Sequence, residues 1–452
     1  MTVLAFVIGV VLLVVGLAVS IALHEIGHLV PAKAFGVRVG RYMIGFGPTL
    51  WSRRFGETEY GVKALPLGGY ISMSGMYPPA AAEEAAGEPG TAGALGAADE
   101  RASGAGRARA SFFAAMVQDA RLANAETLVE GDTKPAFYQL AVWKRVVIMV
   151  GGPLMNFLFA IVLFAIALTA IGVPTATTTI AAVNECVLPS GTERSACGAD
   201  DPASPAAAAG ILPGDVLVSV DGTDVEDFAA ATAIIQDSPG RTIPVVVERD
   251  GAPQTLQVTP IRAERAIVSA DGETTTAEVG FVGMTATVGY QPQPLWAGPE
   301  AAVERVGSVA GVIWQLPVKV YETAATLVTG TERDPNGPLS VVGAGRLAGE
   351  VAATEAPILD RVVMLITLLG SLNIALFVFN LLPLLPLDGG HVVVALWDGI
   401  KRAWAKLFRR PAPRPVDATK LVPVTFVVVI GLIVMGGTLI LADLFNPVSL
   451  LG

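Results

Sequence analysis

His24-Glu25-Ile26-Gly27-His28 sets two imidazoles four positions apart, with a carboxylate beside the first. On a helix, positions i and i+4 share a face, so both rings can reach one metal ion. Glu25 can then hold a water against that ion as general base. The chain has three histidines, and two are spent in this motif. The competing reading, two core histidines with a buried glutamate, is weak inside a membrane helix. Unpaired ionisable groups there are costly and usually functional.

A catalytic zinc takes three protein ligands and leaves a fourth position for water. Asp388 is the best candidate for the third, being the only acid between Val362 and Gly390. The surrounding Pro383, Pro386, Gly389 and Gly390 break the helix. Broken helix at membrane depth is tolerated only where protein or a water-filled cavity satisfies the backbone, so this stretch reads as a site as well as a span. His391 as a fourth ligand would close the site to water, so it is expected behind the ligands or facing the cytoplasm. Asn380, two helical turns before Asp388, would share nearly its face. Its amide could hold a substrate carbonyl or an oxyanion, or make an interhelical hydrogen bond.

The elements that must position these residues are membrane spans. The 452 residues are 52% hydrophobic and only 15% charged, against about 25% charged in an ordinary soluble domain. Mean hydropathy is +0.59. Val3–Leu23 carries no charge and exceeds the roughly 20 residues a span requires. A signal peptide would show a basic leading region and a small-residue cleavage site, and both are missing. Further spans are expected at Val146–Val173, Val362–Leu387 and Leu421–Leu441. The fold expected is a polytopic α-helical membrane protein of four transmembrane helices.

Between Asp398 and Lys420 there are seven Lys/Arg and two acids, whereas Pro174–Leu359 has nine Lys/Arg and 23 acids. Basic loops near span ends mark the cytoplasmic side. Both termini and the acidic segment are therefore expected outside, with the metal centre toward the cytoplasm. The net charge of −10 argues against nucleic acid as a partner. Two cysteines exclude a disulfide-dense scaffold and a cysteine-built zinc site. Cys186 and Cys197 both fall in the outside segment, as a disulfide or as two free thiols.

Glycines at 45, 47, 56, 61, 68 and 69 punctuate short apolar and aromatic runs between Arg41 and Met73, a β-hairpin pattern. Gly45 and Gly47 are taken as substrate-contacting positions on it. Pro78–Ala110 is Ala/Gly-rich without apolar periodicity, the composition of a disordered insertion. Ala209–Gly222, AGILPGDVLVSVDG, closely resembles the PDZ signature; such domains bind extended peptides at a sheet edge. Trp296–Thr329 reads as an interfacial helix or a linker. The expected division is a first span over 1–34, a membrane-associated β-hairpin region over 35–76 and a cytoplasmic insertion over 77–140. A second span follows at 141–174, a PDZ (α/β) domain outside at 175–290 and an interfacial or linker segment at 291–358. The remainder is a third span at 359–396, a basic loop at 397–420, a fourth span at 421–443 and a tail.

An H-E-x-x-H in the first span, a Gly-rich hairpin, a PDZ-like segment and a distal N-x-x-P followed by L-D-G together resemble the site-2 proteases. The nearest likeness is to the RseP-type bacterial regulators in their single-PDZ actinobacterial form. The resemblance covers nearly the whole chain outside the 78–110 insertion. It implies one Zn2+ on His24, His28 and Asp388, Glu25 as catalytic acid/base, and Asn380 clamping an unwound substrate. Gly151–Asn156, GGPLMN, is similar to the family's G-P-x-x-N stretch, with Asn156 packing the core; Leu339–Ala344, LSVVGA, matches another family segment. The family has a proline five residues after the asparagine; here Leu385 stands there and Pro386 follows.

The activity this implies is cleavage of a single-span membrane protein, an anti-sigma factor already trimmed outside, in the plasma membrane of a bacterium. The partners are then that substrate, a peptide or new C-terminus at the PDZ domain, and the lipid bilayer. A non-catalytic PDZ scaffold would have no need of Glu25, and a metal transporter would be expected to show internal repeats, which are missing. A housekeeping peptidase for remnant signal peptides would share the same chemistry.

Overall fold

The computed structural model describes residues 2–77, 117, 127, 133–187, 197–198, 201–268, 274–334, 337–411 and 413–448. The expected disorder over 78–110 lies outside them. In chain order the elements begin with α1 (Thr2–Ala34), β1 (Val39–Phe55), β2 (Thr58–Met73) and α2 (Val142–Ala165). Then come β3 (Val173–Val183), α3 (Pro205–Ala208), β4 (Val216–Val220), β5 (Thr223–Asp224) and α4 (Phe228–Gln236). Strands β6 (Ile243–Arg249), β7 (Ala252–Val258), β8 (Ile261–Val268), β9 (Thr274–Phe281) and β10 (Met284–Gln291) follow. The chain continues with α5 (Ala297–Thr329), α6 (Val341–Ala353), α7 (Ile358–Asn380), α8 (Asp388–Leu407) and α9 (Val422–Phe445). Contacts divide them into two units, one of residues 1–170 with 294–452 and one of residues 171–293.

Among the described residues of the first unit, four helical segments are long and apolar enough to cross a membrane: Val3–Ala34, Val142–Ile171, Ile358–Asn380 and Ala418–Phe445. Their outward faces are apolar, as Val11, Leu12 and Val15 on α1 and Val427, Ile433 and Val434 on α9 illustrate. Such surface is stable only against lipid. Small residues bring the helices together. A Cβ on Gly27 would stand 2.2 Å from the Gly151 carbonyl oxygen, so α1 and α2 meet backbone to backbone. Asn373 of α7 donates to the Ser20 hydroxyl of α1 at 2.9 Å. Trp296–Thr329, read as an interfacial helix or a linker, is the long helix α5, and Asp443 near the end of α9 pairs with buried Arg333 and accepts from the Ser340 amide before α6.

The third apolar stretch is broken where its prolines predict, though its spanning helix is shorter than the Val362–Leu387 expected. It ends at Asn380, where Pro383 and Pro386 interrupt it, and Asp388 opens a separate helix. Pro386 follows a cis peptide bond.

The hairpin is more folded than two strands. Arg41–Ile44 pairs with Gly69–Ser72 on one side and with Glu59–Val62 on the other, while Thr49–Phe55 pairs with Thr58–Lys63 around the turn. Its base joins a core of Leu29, Val39, Tyr42, Phe137, Ile148 and Met149.

In the second unit the strand order is β10-β3-β4-β6-β7, with β5 beside β4 and β8-β9 as a separate pair. Ile180, Leu217, Val220, Ile243, Val245 and Val247 fill its core. Cys186 and Cys197 are bonded to each other, which decides between the two alternatives left by their spacing. Asp215 is buried and accepts from Arg249 at 2.7 and 2.8 Å and from the Leu212 amide at 2.9 Å. The Arg249 hydrogen bonds, against the opposing effect of burial, hold its carboxyl below the ordinary value of 3.8. A folded-state value below the unfolded one means this stability is present above about pH 4 and lost as pH falls through the folded value. Asp215→Asn should therefore be less stable than wild type at neutral pH, with the gap closing under about pH 4. Hydrogen exchange of β4 and β6 amides in both proteins, corrected for intrinsic rates, reads this out. A gap that is constant with pH would refute it.

Candidate metal centre and active site

Helix α1 stacks His24 and His28 one turn apart, with their Nε2 atoms 3.2 Å from each other. His28 Nδ1 lies 2.7 Å from the Ile148 carbonyl of α2. A carbonyl can only accept, so Nδ1 carries the proton and Nε2 keeps its lone pair free. Asp388 brings Oδ2 to 3.2 Å from His24 Nε2 and 3.4 Å from His28 Nε2. One ligand atom from each of the three residues fits within 4.8 Å. Asp388 Oδ2 and His24 Nδ1 are buried without a hydrogen-bond partner among the described residues. Two imidazoles and a carboxylate converging on one point, with no other partner at that oxygen, suit a zinc ion held by three protein ligands.

Local sequence explains how Asp388 arrives there. After Asn380 the chain turns through residues 381–387 and starts α8 with Asp388-Gly389-Gly390. A Cβ on Gly389 would stand 2.3 Å from the Leu381 and Leu382 carbonyl oxygens, so only glycine permits so close a return. Asn380 and Asp388 therefore do not share a face of one helix, as their spacing suggested. They meet because the chain breaks between them, and both line one cavity of about 290 Å³. Asn380 Nδ2 donates to the Leu376 carbonyl at 3.0 Å, within its own helix.

Glu25 lines that cavity with His24, His28 and Asp388, and is 6% exposed. A Cβ on Gly69 would meet its Oε1 at 2.9 Å. The hairpin wall consists of Gly69, Tyr70, Ile71 and Met73 of β2. Gly45 and Gly47 are not part of it; they lie on β1, with Gly45 against the Leu65 backbone. The second arm of the hairpin lines the cavity, where residues 69–72 form the outer edge beside residues 41–44. Tyr42 donates its hydroxyl to the Ala22 carbonyl at 2.8 Å, and burial, followed by Glu25 and Tyr60, pushes its pKa up to about 12. It remains a neutral brace between hairpin and α1.

His391 lines the same cavity but stands outside the three-atom cluster, near the Tyr77 ring. Gly152 of α2 was missed as a site residue. A Cβ there would be 2.2 Å from His28 Nε2 and 2.8 Å from His24 Nε2, so its lack of a side chain makes room for both rings. The Gly151-Gly152-Pro153 run inside a span was the available signal.

The profile of peptidase family M50 matches residues 12–410. The zinc metalloprotease Rip1 of Mycobacterium tuberculosis is 35% identical, over 98% of this chain and 99% of its own length. Rip1 of Mycolicibacterium smegmatis is 34% identical over the same shares. The metalloprotease MmpA of Caulobacter vibrioides is 28% identical over 88% of each chain.

Proposed function

The chain belongs to peptidase family M50, the site-2 proteases, and from that premise we propose that this multi-pass zinc metalloendopeptidase cuts the membrane segment of single-span proteins, an anti-sigma factor among them. The convergence of His24, His28 and Asp388 beside Glu25 carries the reading. In it those three residues hold the zinc, which when bound supplies Lewis acidity and lowers the pKa of water. Glu25 takes a proton from the attacking water as its oxygen adds to the scissile carbonyl carbon. The same carboxyl returns that proton to the amide nitrogen as the C–N bond breaks.

A helical substrate hides its carbonyls in its own hydrogen bonds and must be unwound before it can react. The edge formed by residues 69–73 has no strand partner on its outer side among the described residues. It borders the cavity, and an extended substrate can add to it as a further strand. Asn380 keeps one amide hydrogen for the substrate's opposite side. The Ala209–Gly222 turn and its sheet act as a PDZ-type sensor or size filter outside a bacterial plasma membrane. His24 lies about 33 Å along α1 from Thr2, roughly one hydrocarbon thickness. With the N-terminus outside, as the basic 398–420 stretch indicates, cleavage occurs near the cytoplasmic face.

The test is cleavage of a single-span reporter by the purified full chain, before and after zinc removal. Activity should vanish on chelation and return with zinc. Tyr70→Pro and Ile71→Pro, one of which removes an outward amide because amides alternate along a strand, should abolish cleavage with zinc content intact. Unchanged cleavage in both would sink the strand-addition step. Cleavage that persists without zinc would sink the whole reading.

A further inference from the structure

Helix α8 (Asp388–Leu407) begins at a proposed zinc ligand and carries a surface that no other element covers among the described residues. Val393, Leu396, Trp397, Ile400, Trp404 and Leu407 recur at helical spacing, and all are between 47% and 74% exposed. The opposite side packs inward through Ala395, Asp398 and Ala405. Asp398 pairs with buried Arg145 at 3.0 Å, and Gly399 sits against Val142, both at the start of the spanning helix α2. Trp143 beside them is exposed too, so the apolar stripe continues from the end of a membrane span. Lys406, Arg409, Arg410 and Arg414 follow, all exposed and without an ion-pair partner among the described residues. Apolar stripe, two tryptophans and adjoining cations are the features of a helix lying in an anionic membrane interface.

We propose that α8 rests in the anionic headgroup layer and that this contact holds Asp388 in place at the metal centre, so that acidic phospholipid promotes cleavage. Because α8 follows a broken segment at residues 381–387, its direction is not inherited from α7. Arg145–Asp398 anchors its protein side and the lipid surface anchors the other, and Asp388 moves with its first turn. The coupling half of the proposal rests on Asp388 being a zinc ligand; the lipid contact does not.

The experiment uses the full chain in vesicles of phosphatidylcholine alone and with about 30% phosphatidylglycerol. The two native cysteines are bonded to each other, so Ile400→Cys can be spin-labelled alone. The label should be more accessible to oxygen than to a water-soluble nickel chelate. Cleavage should be about fivefold faster with phosphatidylglycerol. Lys406→Gln, Arg409→Gln, Arg410→Gln and Arg414→Gln combined should remove that gain while zinc content and the rate in neutral vesicles stay unchanged. A label exposed to water in both vesicles, or spin–spin broadening from a second copy on this face, would overturn the interfacial placement. Equal wild-type rates in both compositions, or full activation in neutral vesicles by soluble glycerol phosphate, would overturn the lipid coupling. A membrane-seated label without cleavage in either vesicle would overturn the protease reading and the coupling with it, leaving the lipid contact standing.

Discussion

Glu25→Gln should lower cleavage of a single-span reporter by about 10²–10⁴-fold while zinc stays near about one per chain. Glutamine keeps the shape and the burial but cannot take a proton from water. Glu25 is outside the cluster of His24, His28 and Asp388, so its charge is not needed to gather those three ligands. Single-turnover cleavage with zinc measured on the same preparations reads both quantities. A variant that cleaves at the wild-type rate would remove Glu25 from the mechanism. One that loses its zinc would make Glu25 a part of the metal centre instead.

Gly152→Ala should be nearly as damaging, by a different route. The added methyl would be 2.2 Å from His28 Nε2, nearer than any real carbon–nitrogen contact. Parting α1 from α2 to make room would open their backbone-to-backbone packing at Gly27 and Gly151. His28 must turn, which breaks its hydrogen bond to Ile148 and moves Nε2 away from Asp388. Zinc affinity and cleavage should both fall by about 100-fold or more, in a protein that still inserts in the membrane. Gly436→Ala, where nothing lies within 4 Å of the new carbon, is the matched control and should change neither. Normal zinc affinity in Gly152→Ala would show that the helices can part.

The two predictions divide along what was legible in the residue order. Glu25 was legible because its role depends on neighbours at positions i−1 and i+3, which any helix brings together. The role of Gly152 was not, because the Gly151-Gly152-Pro153 run marks an unusual position but not the histidines it makes room for, the nearer 124 residues before it. The hairpin shows the same division. Its existence followed from glycine punctuation, but which arm lines the cavity depended on strand order, and it is Gly69–Ile71 and Met73, not Gly45 or Gly47, that do so.

By itself the sequence determined the four apolar spans, the two histidines and carboxylate of the H-E-x-x-H motif, and Asp388 as the one acid in its stretch. These rest on local hydropathy and on helical periodicity, which hold wherever the helix is placed. The tertiary structure alone decided that Asp388 starts a new helix packed against the start of α2. It also decided that residues 69–73 wall the cavity, that Cys186 bonds Cys197, and that α8 turns an apolar stripe outward. Each of these depends on distances between segments remote in sequence, and such distances are set by packing and chain reversal, for which residue order carries no periodic signal.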